Sequence, residues 1–257
     1  MSEFTLLLDV GNTRLKGGLW RSGQVHAVAL PDGESHELAS DLKALETQLD
    51  DPPKRIVVSC VRGAQALEEL QQWSQARFDL PVNLALATAS ACGITNSYAQ
   101  PDTMGVDRWM AMIGAQARAS RAYCVADLGT ATTLDAVDAA GRHLGGLIVP
   151  GASLMAHSIT SKAPGVFVDD SARAVPWADN TQDAVYSGAA WSVADLVLGF
   201  RGRLRRHLDD ESVPLYLCGG AALDMLQLLA DHSGIHHCPN LVLEGLGIWS
   251  DDNPQTA

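Results

Sequence analysis

The stretch Asp9-Val10-Gly11-Asn12-Thr13-Arg14-Leu15-Lys16 decides how the rest of the chain is interpreted. It follows the apolar run Thr5-Leu6-Leu7-Leu8, which predicts a buried strand. Gly11 and Asn12 predict a tight turn directly after that strand. A β-hairpin by itself would explain the pattern, with Gly17-Gly18-Leu19-Trp20 as its second strand. The sequence therefore predicts a hairpin whose turn begins beside an acidic residue.

The residue types in this turn suit a nucleotide that carries a metal ion. The carboxylate of Asp9 can hold Mg²⁺ or its waters. Backbone N–H groups of the turn and the Thr13 hydroxyl can donate to phosphate oxygens. Lys16 adds a compact positive charge. We expect the hairpin to form and its turn to bind phosphate.

The same pattern recurs later in the chain. Val125-Ala126-Asp127-Leu128-Gly129-Thr130-Ala131-Thr132-Thr133 again gives an apolar strand, an Asp, a Gly and hydroxyl residues. A third glycine turn follows the apolar strand in Leu215-Tyr216-Leu217-Cys218-Gly219-Gly220-Ala221-Ala222. The recurrence strengthens the case for a phosphate site, because one such turn alone is a weak signal.

Composition limits the class of protein. A length of 257 residues suits one large or two modest domains, and 47% apolar residues allow a sizeable core. The formal charge of −12 argues against a nucleic-acid partner, since phosphate backbones need clustered Lys and Arg. A small anionic ligand needs only a local positive site and stays compatible with this charge.

Cysteine usage and the N-terminal residues bear on location. The five cysteines are widely spaced without a C-x-x-C pair, which predicts buried reduced thiols. The N-terminus lacks the basic and apolar regions of a signal peptide, and no apolar run approaches about 18 residues. We expect a cytoplasmic protein with no membrane partner. Walker A, H-E-x-x-H and G-x-S-x-G patterns are absent, so a P-loop kinase, a zincin and an α/β-hydrolase lack support.

Strand and helix patterns alternate along the chain, which favours an α/β fold. We place the domain boundary before the second acidic strand, giving domains 1–117 and 118–257. Strands are predicted at 55–61, 82–87 and 213–218. Helices are predicted at 34–49, 65–78, 109–119 and 181–207, the last with a possible interruption at Gly199.

The segment Gly105-Val106-Asp107-Arg108 offers catalytic chemistry at the start of a helix. An Asp at that junction can accept a proton from an alcohol. The adjacent Arg can pair with a carboxylate through two hydrogen bonds. A base at Asp107 and a binding group for an anion at Arg108 together suit a substrate with a hydroxyl at one end and a carboxylate at the other. The alternative is a capped helix with an Asp/Arg pair on its surface.

Two further groups of residues are interpreted as structural. His232, His236, His237 and Cys238 lack an organised metal-ligand spacing and predict a surface loop. Arg201, Arg203, Arg205 and Arg206 precede three acidic residues, which predicts a solvated, salt-bridged helix end.

Two Asp-x-Gly turns followed by a Gly-Gly turn resemble the actin, sugar-kinase and Hsp70 superfamily. The resemblance spans positions 9 to 222. It implies two ribonuclease-H-like (actin-like ATPase) α/β domains with a nucleotide cleft between them. The two acidic turns would hold the phosphates, and the third turn would flank the adenosine.

A narrower resemblance follows from the motifs taken together. The chain closely resembles the type III pantothenate kinases, which implies ATP-dependent phosphorylation of pantothenate to 4′-phosphopantothenate, the first step of coenzyme A biosynthesis. The matching features are Asp9-x-Gly-Asn-Thr-x-x-Lys16, Gly105-x-Asp-Arg108, Asp127-x-Gly-Thr-Ala-Thr132, Gly145-Gly146 with Pro150-Gly151, and Asn180-Thr181 followed by Ser187-Gly188.

The resemblance implies roles for individual substrate-site residues. Asp107 would be the general base, and Arg108 would pair with the pantothenate carboxylate. Gly105 and Val106 would line the pantothenate site, and Tyr98 would be an aromatic substrate contact. Thr181 would reach a pantothenate site across a homodimer interface. The segment 101–104 departs from the family pattern, and no role is transferred to it.

The resemblance also implies a nucleotide site and its ions. Asp9, Val10, Gly11, Asn12, Thr13, Arg14, Leu15 and Lys16 would hold the ATP phosphates, with Mg²⁺ held by Asp9 through those phosphates. Thr130 would add a nucleotide contact. Asp127 would sit at a monovalent cation, K⁺ or NH₄⁺.

Two alternatives stay open from the sequence. A small-sugar kinase of the same superfamily is disfavoured by Arg108, which a neutral sugar does not need. A non-catalytic nucleotide-binding regulator, of the kind first described as a transcriptional accessory factor, is disfavoured by the intact base and both phosphate turns.

Overall fold

A computed structural model describes residues 3–30, 37–163, 165–169 and 171–254 of the chain. The strands are β1 (Thr5–Val10), β2 (Leu15–Arg21), β3 (Gln24–Val28), β4 (Arg55–Cys60), β5 (Val82–Leu84), β6 (Ser90–Ala91), β7 (Ile94–Thr95), β8 (Tyr123–Leu128), β9 (Ala131–Val137), β10 (His143–Pro150), β11 (Leu215–Cys218) and β12 (Ile235–His237). The α-helices are α1 (Leu38–Glu46), α2 (Ala64–Phe78), α3 (Val106–Gln116), α4 (Ala152–Thr160), α5 (Thr181–Leu208), α6 (Ala222–Leu228) and α7 (Leu241–Asp252), and a 3₁₀ helix spans Pro101–Thr103.

The predicted α/β class is confirmed by two five-stranded mixed sheets. Their strand orders are β3-β2-β1-β4-β5 and β10-β9-β8-β11-β12. In the first sheet β1 pairs antiparallel with β2 and parallel with β4. In the second, β8 pairs antiparallel with β9 and parallel with β11. The internal repeat seen in the sequence is thus a repeat of sheet topology.

The repeat places the two acidic residues at equivalent positions. Asp9 is the fifth of six residues in β1, and Asp127 is the fifth of six in β8. Each strand then enters a turn and returns as an antiparallel partner, which confirms the hairpin predicted after β1 and shows a second one after β8. Each acidic residue therefore lies at the end of a central strand, directly before a turn.

The chain divides into two compact units. The first contains residues 1–120, 141–143 and 240–257, and the second contains residues 121–140 and 144–239. The predicted domains 1–117 and 118–257 differ from these units chiefly at the C-terminus. There α7 packs on α3 of the first unit, because Gly114 and Gly245 let the two helix backbones approach closely.

Each unit has its own apolar core. In the first, alternate residues of β1 and β4 pack with α1 and α2, among them Leu6, Leu8, Ile56 and Val58. In the second, residues of β8 and β11 pack against α5, including Val193 and Val197. The alternation of strand residues leaves the odd-numbered positions of β1, including Asp9, on the other face of the first sheet.

Several predicted boundaries change. Helix α5 runs without a break through Gly199, where an added Cβ would meet nothing within 4 Å. The helix predicted at 109–119 begins earlier, at Val106, and the strand predicted at 82–87 ends at Leu84. The start of the helix predicted at 34–49 lies outside the described residues. Within the described ranges, none of the helices has the length and apolarity needed to cross a membrane.

Candidate active site

The first acidic turn is closed by backbone hydrogen bonds. The N–H of Gly11 donates to the carbonyl of Arg14 over 3.1 Å, and the N–H of Val61 donates to the carbonyl of Val10 over 3.1 Å. Asn12 and Arg14 are exposed, whereas Thr13 is half-buried. The tip of the turn is therefore accessible while its base is fixed to β4.

Lys16 and Asp9 stand directly opposite each other in the antiparallel register of β1 and β2. Opposite residues in such a pair project to the same face of the sheet. The acid is almost fully buried, and Lys16 is half-buried. The predicted metal-holding and phosphate-binding side chains are thus adjacent.

Arg62 is a residue of this turn that the sequence analysis missed. Its Nε donates to the carbonyl oxygen of Gly11 over 2.5 Å. Arg62 follows β4. This strand pairs in parallel with β1, which brings Arg62 next to the turn that follows β1. No local pattern around Arg62 signals this contact, so the sheet topology was needed to find it.

A buried hydroxyl next to Asp9 bears on the predicted Mg²⁺. Ser59 on β4 is level with Asp9 on β1, and its side chain is fully buried. Its Oγ has no hydrogen-bond partner among the described residues. A buried hydroxyl costs free energy unless water or an ion's hydration shell satisfies it. The pair Asp9 and Ser59 therefore fits a hydrated divalent cation.

The candidate base lies at the start of α3. Gly105 is the N-cap residue, and Asp107 lies in the first turn. The Oδ1 atom of Asp107 accepts the backbone N–H of Arg108 over 2.8 Å. A Cβ on Gly105 would lie 2.6 Å from this same oxygen, so glycine leaves the space that the carboxylate occupies. The positive end of the helix favours the ionised carboxylate.

Arg108 is buried, and this contradicts the alternative of a surface Asp/Arg pair. Its side chain is 4% exposed, and Nη1 donates to the hydroxyl of Tyr98 over 3.0 Å. The guanidinium carbon lies 5.8 Å from the centre of the Tyr98 ring. The structure thus brings together two of the predicted substrate contacts, which are ten positions apart in sequence. Val106 is buried beside them on α3.

The second unit brings together three motifs that are distant in sequence. The N–H of Gly151 donates to the carbonyl of Thr130 over 2.8 Å. The turn after β11 approaches β8 so closely that a Cβ on Gly219 would lie 2.5 Å from Asp127 Oδ1. Gly219 also has a φ of +91°, which disfavours any other residue. The Asp127 turn, Gly151 and Gly219 therefore form one cluster.

This cluster fits a cation with oxygen ligands. Asp127 is half-buried and carries a carboxylate, and the carbonyl oxygen of Leu128 lies equally close to Gly219. Carboxylate and carbonyl oxygens are the ligands that hard cations prefer. The monovalent cation near Asp127 stays a prediction.

Thr181 is the exposed first residue of α5. The preceding Asn180 caps the helix, its side chain accepting the N–H of Asp183 over 2.9 Å. Hydrogen bonds to the Arg173 backbone and to Asn180 lower the pKa of Asp183 below its usual range. The start of this helix is therefore well fixed although it is exposed.

The group of His232, His236, His237 and Cys238 was predicted to be a surface loop, and the structure corrects this in part, because His236 and His237 lie in β12 and Cys238 is buried. No group of three or more His, Cys, Asp or Glu side chains within the described ranges is arranged to hold a metal ion. His236 instead packs its ring 5.4 Å from that of Tyr216. The arginine group is not uniformly solvated, which corrects the prediction for Arg201: it is 3% exposed and donates to three backbone carbonyls.

Comparisons with known proteins agree with one another. A family model described as type III pantothenate kinase matches residues 5–203. A type III pantothenate kinase of Alkalilimnicola ehrlichii is 37% identical, covering 94% of this chain and 95% of its own length. One of Nitrosococcus oceani is 30% identical, covering 96% and 94%.

Solved structures agree in fold. A Baf family protein of Campylobacter jejuni aligns with a TM-score of 0.58 at 18% identity, covering 97% of this chain and 98% of its own. The activator of 2-hydroxyisocaproyl-CoA dehydratase from Clostridium difficile, solved with bound ADPNP, aligns with a TM-score of 0.54 at 14% identity, covering 99% of both chains. At these identities the likeness supports the two-domain actin-like fold alone.

Proposed function

The chain belongs to the type III pantothenate kinase family, and on this premise we propose that it transfers the γ-phosphoryl group of ATP to the primary hydroxyl of pantothenate. The product is 4′-phosphopantothenate, made in the first step of coenzyme A biosynthesis. The observation that carries the proposal within this chain is the buried Arg108, which is hydrogen-bonded to Tyr98 and follows Asp107 directly in sequence.

Asp107 is the general base of the proposed reaction. The substrate hydroxyl gives its proton to the Asp107 carboxylate while its oxygen bonds to the γ-phosphorus. The bond from that phosphorus to the bridging oxygen breaks, and ADP leaves. The half-buried Asp107 can meet a substrate from solvent, since Gly105 leaves its Oδ1 uncrowded.

Arg108 binds the pantothenate carboxylate at the other end of the substrate. Its guanidinium is almost fully buried, which strengthens a charge-assisted bond to the carboxylate. Tyr98 supports this arginine through its hydroxyl, and Gly105 and Val106 line the site next to the base. The distance between base and anchor would then select substrates by length.

The turn from Asp9 to Lys16 binds the ATP phosphates. Thr13 and the turn's N–H groups donate to phosphate oxygens, Lys16 supplies positive charge, and Arg62 fixes the turn through Gly11. Such local charge is needed because the whole chain carries −12. Mg²⁺, held near Asp9 and Ser59, would neutralise phosphate charge. Thr130 in the second unit adds a nucleotide contact.

Asp127 holds a monovalent cation, K⁺ or NH₄⁺, in this proposal. The support is the carboxylate of Asp127, which packs closely against Gly219 together with the backbone of Leu128. The cation would offset the negative charge of Asp127.

The active protein is a homodimer in this proposal, with Thr181 reaching the pantothenate site across the interface. The support is that seven large apolar side chains of the second unit before α5 are exposed. They are Leu144, Leu147, Ile148, Leu154, Ile159, Phe167 and Trp177. Exposed apolar surface of this kind is characteristic of protein interfaces.

The experiment measures ADP release from ATP and Mg²⁺, with and without pantothenate, in K⁺ and in Na⁺ buffer. We expect pantothenate-dependent turnover that requires K⁺ or NH₄⁺. No pantothenate-dependent turnover by the folded protein would contradict the kinase and favour a nucleotide-binding regulator. Turnover with neutral sugars in place of pantothenate would favour a sugar kinase.

The role of Asp107 is tested by Asp107→Ala. Loss of the base should lower kcat by roughly 10²–10⁴-fold while ATP binding survives. Asp102→Ala is the matched control, because Asp102 is an exposed carboxylate on the neighbouring 3₁₀ helix. Normal turnover by Asp107→Ala, with ADP release measured at saturating pantothenate, would show that another group takes the proton.

A further inference from the structure

We propose that His143 is a positioning residue that holds Tyr98, and through Tyr98 holds Arg108, in place for the substrate carboxylate. The inference rests on the proposed function, since it concerns the anchor of that reaction. His143 lies outside every sequence motif described above and about 45 positions from Tyr98 along the chain.

His143 lies at this site because its segment packs within the first unit. Residues 141–143 belong to that unit although the residues on both sides belong to the second. The N–H of Thr95 donates to the carbonyl of Gly141 over 2.9 Å, and Thr95 forms a parallel bridge with Arg142. Gly141 lies against the carbonyl of Gly93, where a Cβ would overlap it. The turn before β10 is therefore firmly fixed to β7.

The imidazole is held by two consecutive residues. His143 is 3% exposed, and its Nδ1 lies 3.0 Å from the hydroxyl of Ser97. Its ring centre lies 6.1 Å from that of Tyr98, with the planes inclined by 32°. The backbone of Tyr98 is also fixed, since its N–H donates to the side-chain oxygen of Asn96 over 3.0 Å. The tyrosine ring thus rests against a buried, hydrogen-bonded imidazole.

Tyr98 in turn holds the side chain of Arg108 in position. Its hydroxyl accepts the bond from Arg108 Nη1, so the position of the ring sets the position of the guanidinium. An arginine binds a carboxylate best when its planar group is already oriented. Without the imidazole behind it, the Tyr98 ring gains freedom and Arg108 loses part of its orientation. The loss should appear as weaker pantothenate binding, with phosphoryl transfer little affected.

The test compares steady-state constants of His143→Ala, His143→Phe and Ser97→Ala with those of the unaltered chain. We expect the KM for pantothenate to rise about tenfold in His143→Ala. A rise of this size corresponds to the loss of one hydrogen bond or packing contact that supports a charged site. His143→Phe keeps a ring against Tyr98 and should show a smaller rise. The kcat and the KM for ATP should stay nearly unchanged.

His236→Phe is the matched control. His236 also packs on a tyrosine, Tyr216, but it is exposed and lies in the second unit. It should leave both KM values unchanged. A purely structural role for His143 would lower the melting temperature and the active fraction, and therefore kcat, without a selective change in the KM for pantothenate.

A double-variant cycle decides whether His143 acts through Tyr98. Tyr98→Phe removes the hydroxyl that Arg108 contacts, so His143→Ala should add little in that background. An equal effect of His143→Ala with and without the Tyr98 hydroxyl would overturn the proposal. So would an unchanged KM for pantothenate in the folded variants. If His143→Ala does not fold, His143→Phe and Ser97→Ala carry the same comparison.

The two proposals fail in distinguishable ways. Absence of pantothenate-dependent turnover by the unaltered chain would overturn the proposed function, and the positioning role with it. Normal turnover by the unaltered chain, combined with normal pantothenate KM in the variants, would overturn only the role of His143.

Discussion

At the scale of single residues, the hydrogen-bond partners of two buried arginines, Arg108 and Arg201, differ. Arg108 and Arg201 are both almost fully buried, although each stands in a charged stretch that suggests a surface. Arg108 contacts a tyrosine at the candidate site, whereas Arg201 is satisfied by backbone carbonyls of Val213, Ser233 and Gly234. The partners of a buried guanidinium therefore indicate what it does.

Arg201→Met should destabilise the protein markedly. The change removes three hydrogen bonds to backbone carbonyls, of which that of Gly234 keeps the N–H of Leu215 as a second donor, so we expect a loss of about 3 kcal/mol in the free energy of unfolding. Arg203→Met is the control, because Arg203 is exposed on the same helix and should change stability by less than about 0.5 kcal/mol. Urea unfolding of both variants measures the difference. Equal stability would show that Arg201 is dispensable to the fold.

Cys124 gives a pH-dependent prediction. Burial raises the pKa of its thiol from 9.0 to about 12. The unfolded chain therefore releases this proton near pH 9 while the folded chain keeps it, so stability is intact below pH 9 and falls as the pH rises from 9 toward 12. The slope for one such group is about 1.4 kcal/mol per pH unit.

The measurement is urea unfolding of the unaltered chain and of Cys124→Ala between pH 8 and 11. The variant lacks the thiol, so the alkaline loss should be smaller in it. Other groups, such as Cys92, whose pKa is also raised to about 12, contribute equally to both proteins and cancel in the difference. Identical pH slopes would mean that Cys124 does not stay protonated in the folded chain.

At the scale of elements, α3 is the support of the candidate site. It carries Asp107 and Arg108 in its first turn and is buried along nearly its whole length. Its contact with α7 depends on small residues, since a Cβ on Gly245 would overlap the carbonyl of Met110. The positions of Asp107 and Arg108 thus depend on a helix that is more than 120 residues later in the sequence.

Gly245→Ala should cost about 1–3 kcal/mol of stability, because α3 and α7 must separate to admit the methyl group. Gly199→Ala is the matched helical control, since an added Cβ there meets nothing within 4 Å. It should stabilise the protein by about 0.5–1 kcal/mol through helix propensity. Thermal unfolding of both variants tests this, and a stabilising Gly245→Ala would contradict the close helix contact.

At the scale of the whole molecule, the two units repeat one sheet plan with different chemistry at the turns. The first carries Asp9, Lys16 and the Arg62 contact, while the second carries Asp127 beside Gly219. The second unit also bears most of the large exposed apolar side chains. The proposed division is therefore phosphate binding in the first unit, and cation binding and self-association in the second.

Self-association gives a whole-molecule prediction. Ile148→Glu should shift the protein from dimer toward monomer, because Ile148 is 61% exposed within the apolar group before α5. Leu223→Glu is the control, with a similarly exposed leucine on α6 outside that group. Light scattering at several concentrations measures the mass. A monomeric unaltered chain would contradict the homodimer, and equal effects of both substitutions would contradict the chosen surface.

The sequence by itself determined the local features of this protein. Strand, Asp and glycine turn are adjacent along the chain, so the first acidic hairpin and the recurrence of its strand and turn were predictable from apolar runs and turn residues. The α/β class and the family followed from the order and spacing of these motifs, and the fold and the comparisons confirmed them. The roles of Asp9, Asp107 and Asp127 stay predictions until they are tested by substitution.

Tertiary structure alone decided the contacts between distant segments. Arg62 reaches Gly11 through parallel strand pairing, Arg201 is buried by loops that follow it, and His143 stands behind Tyr98 because a turn docks on β7. The C-terminal helix joins the first unit through its contact with α3. Sequence patterns report each residue's neighbours along the chain, whereas these contacts depend on which elements the folded core brings side by side.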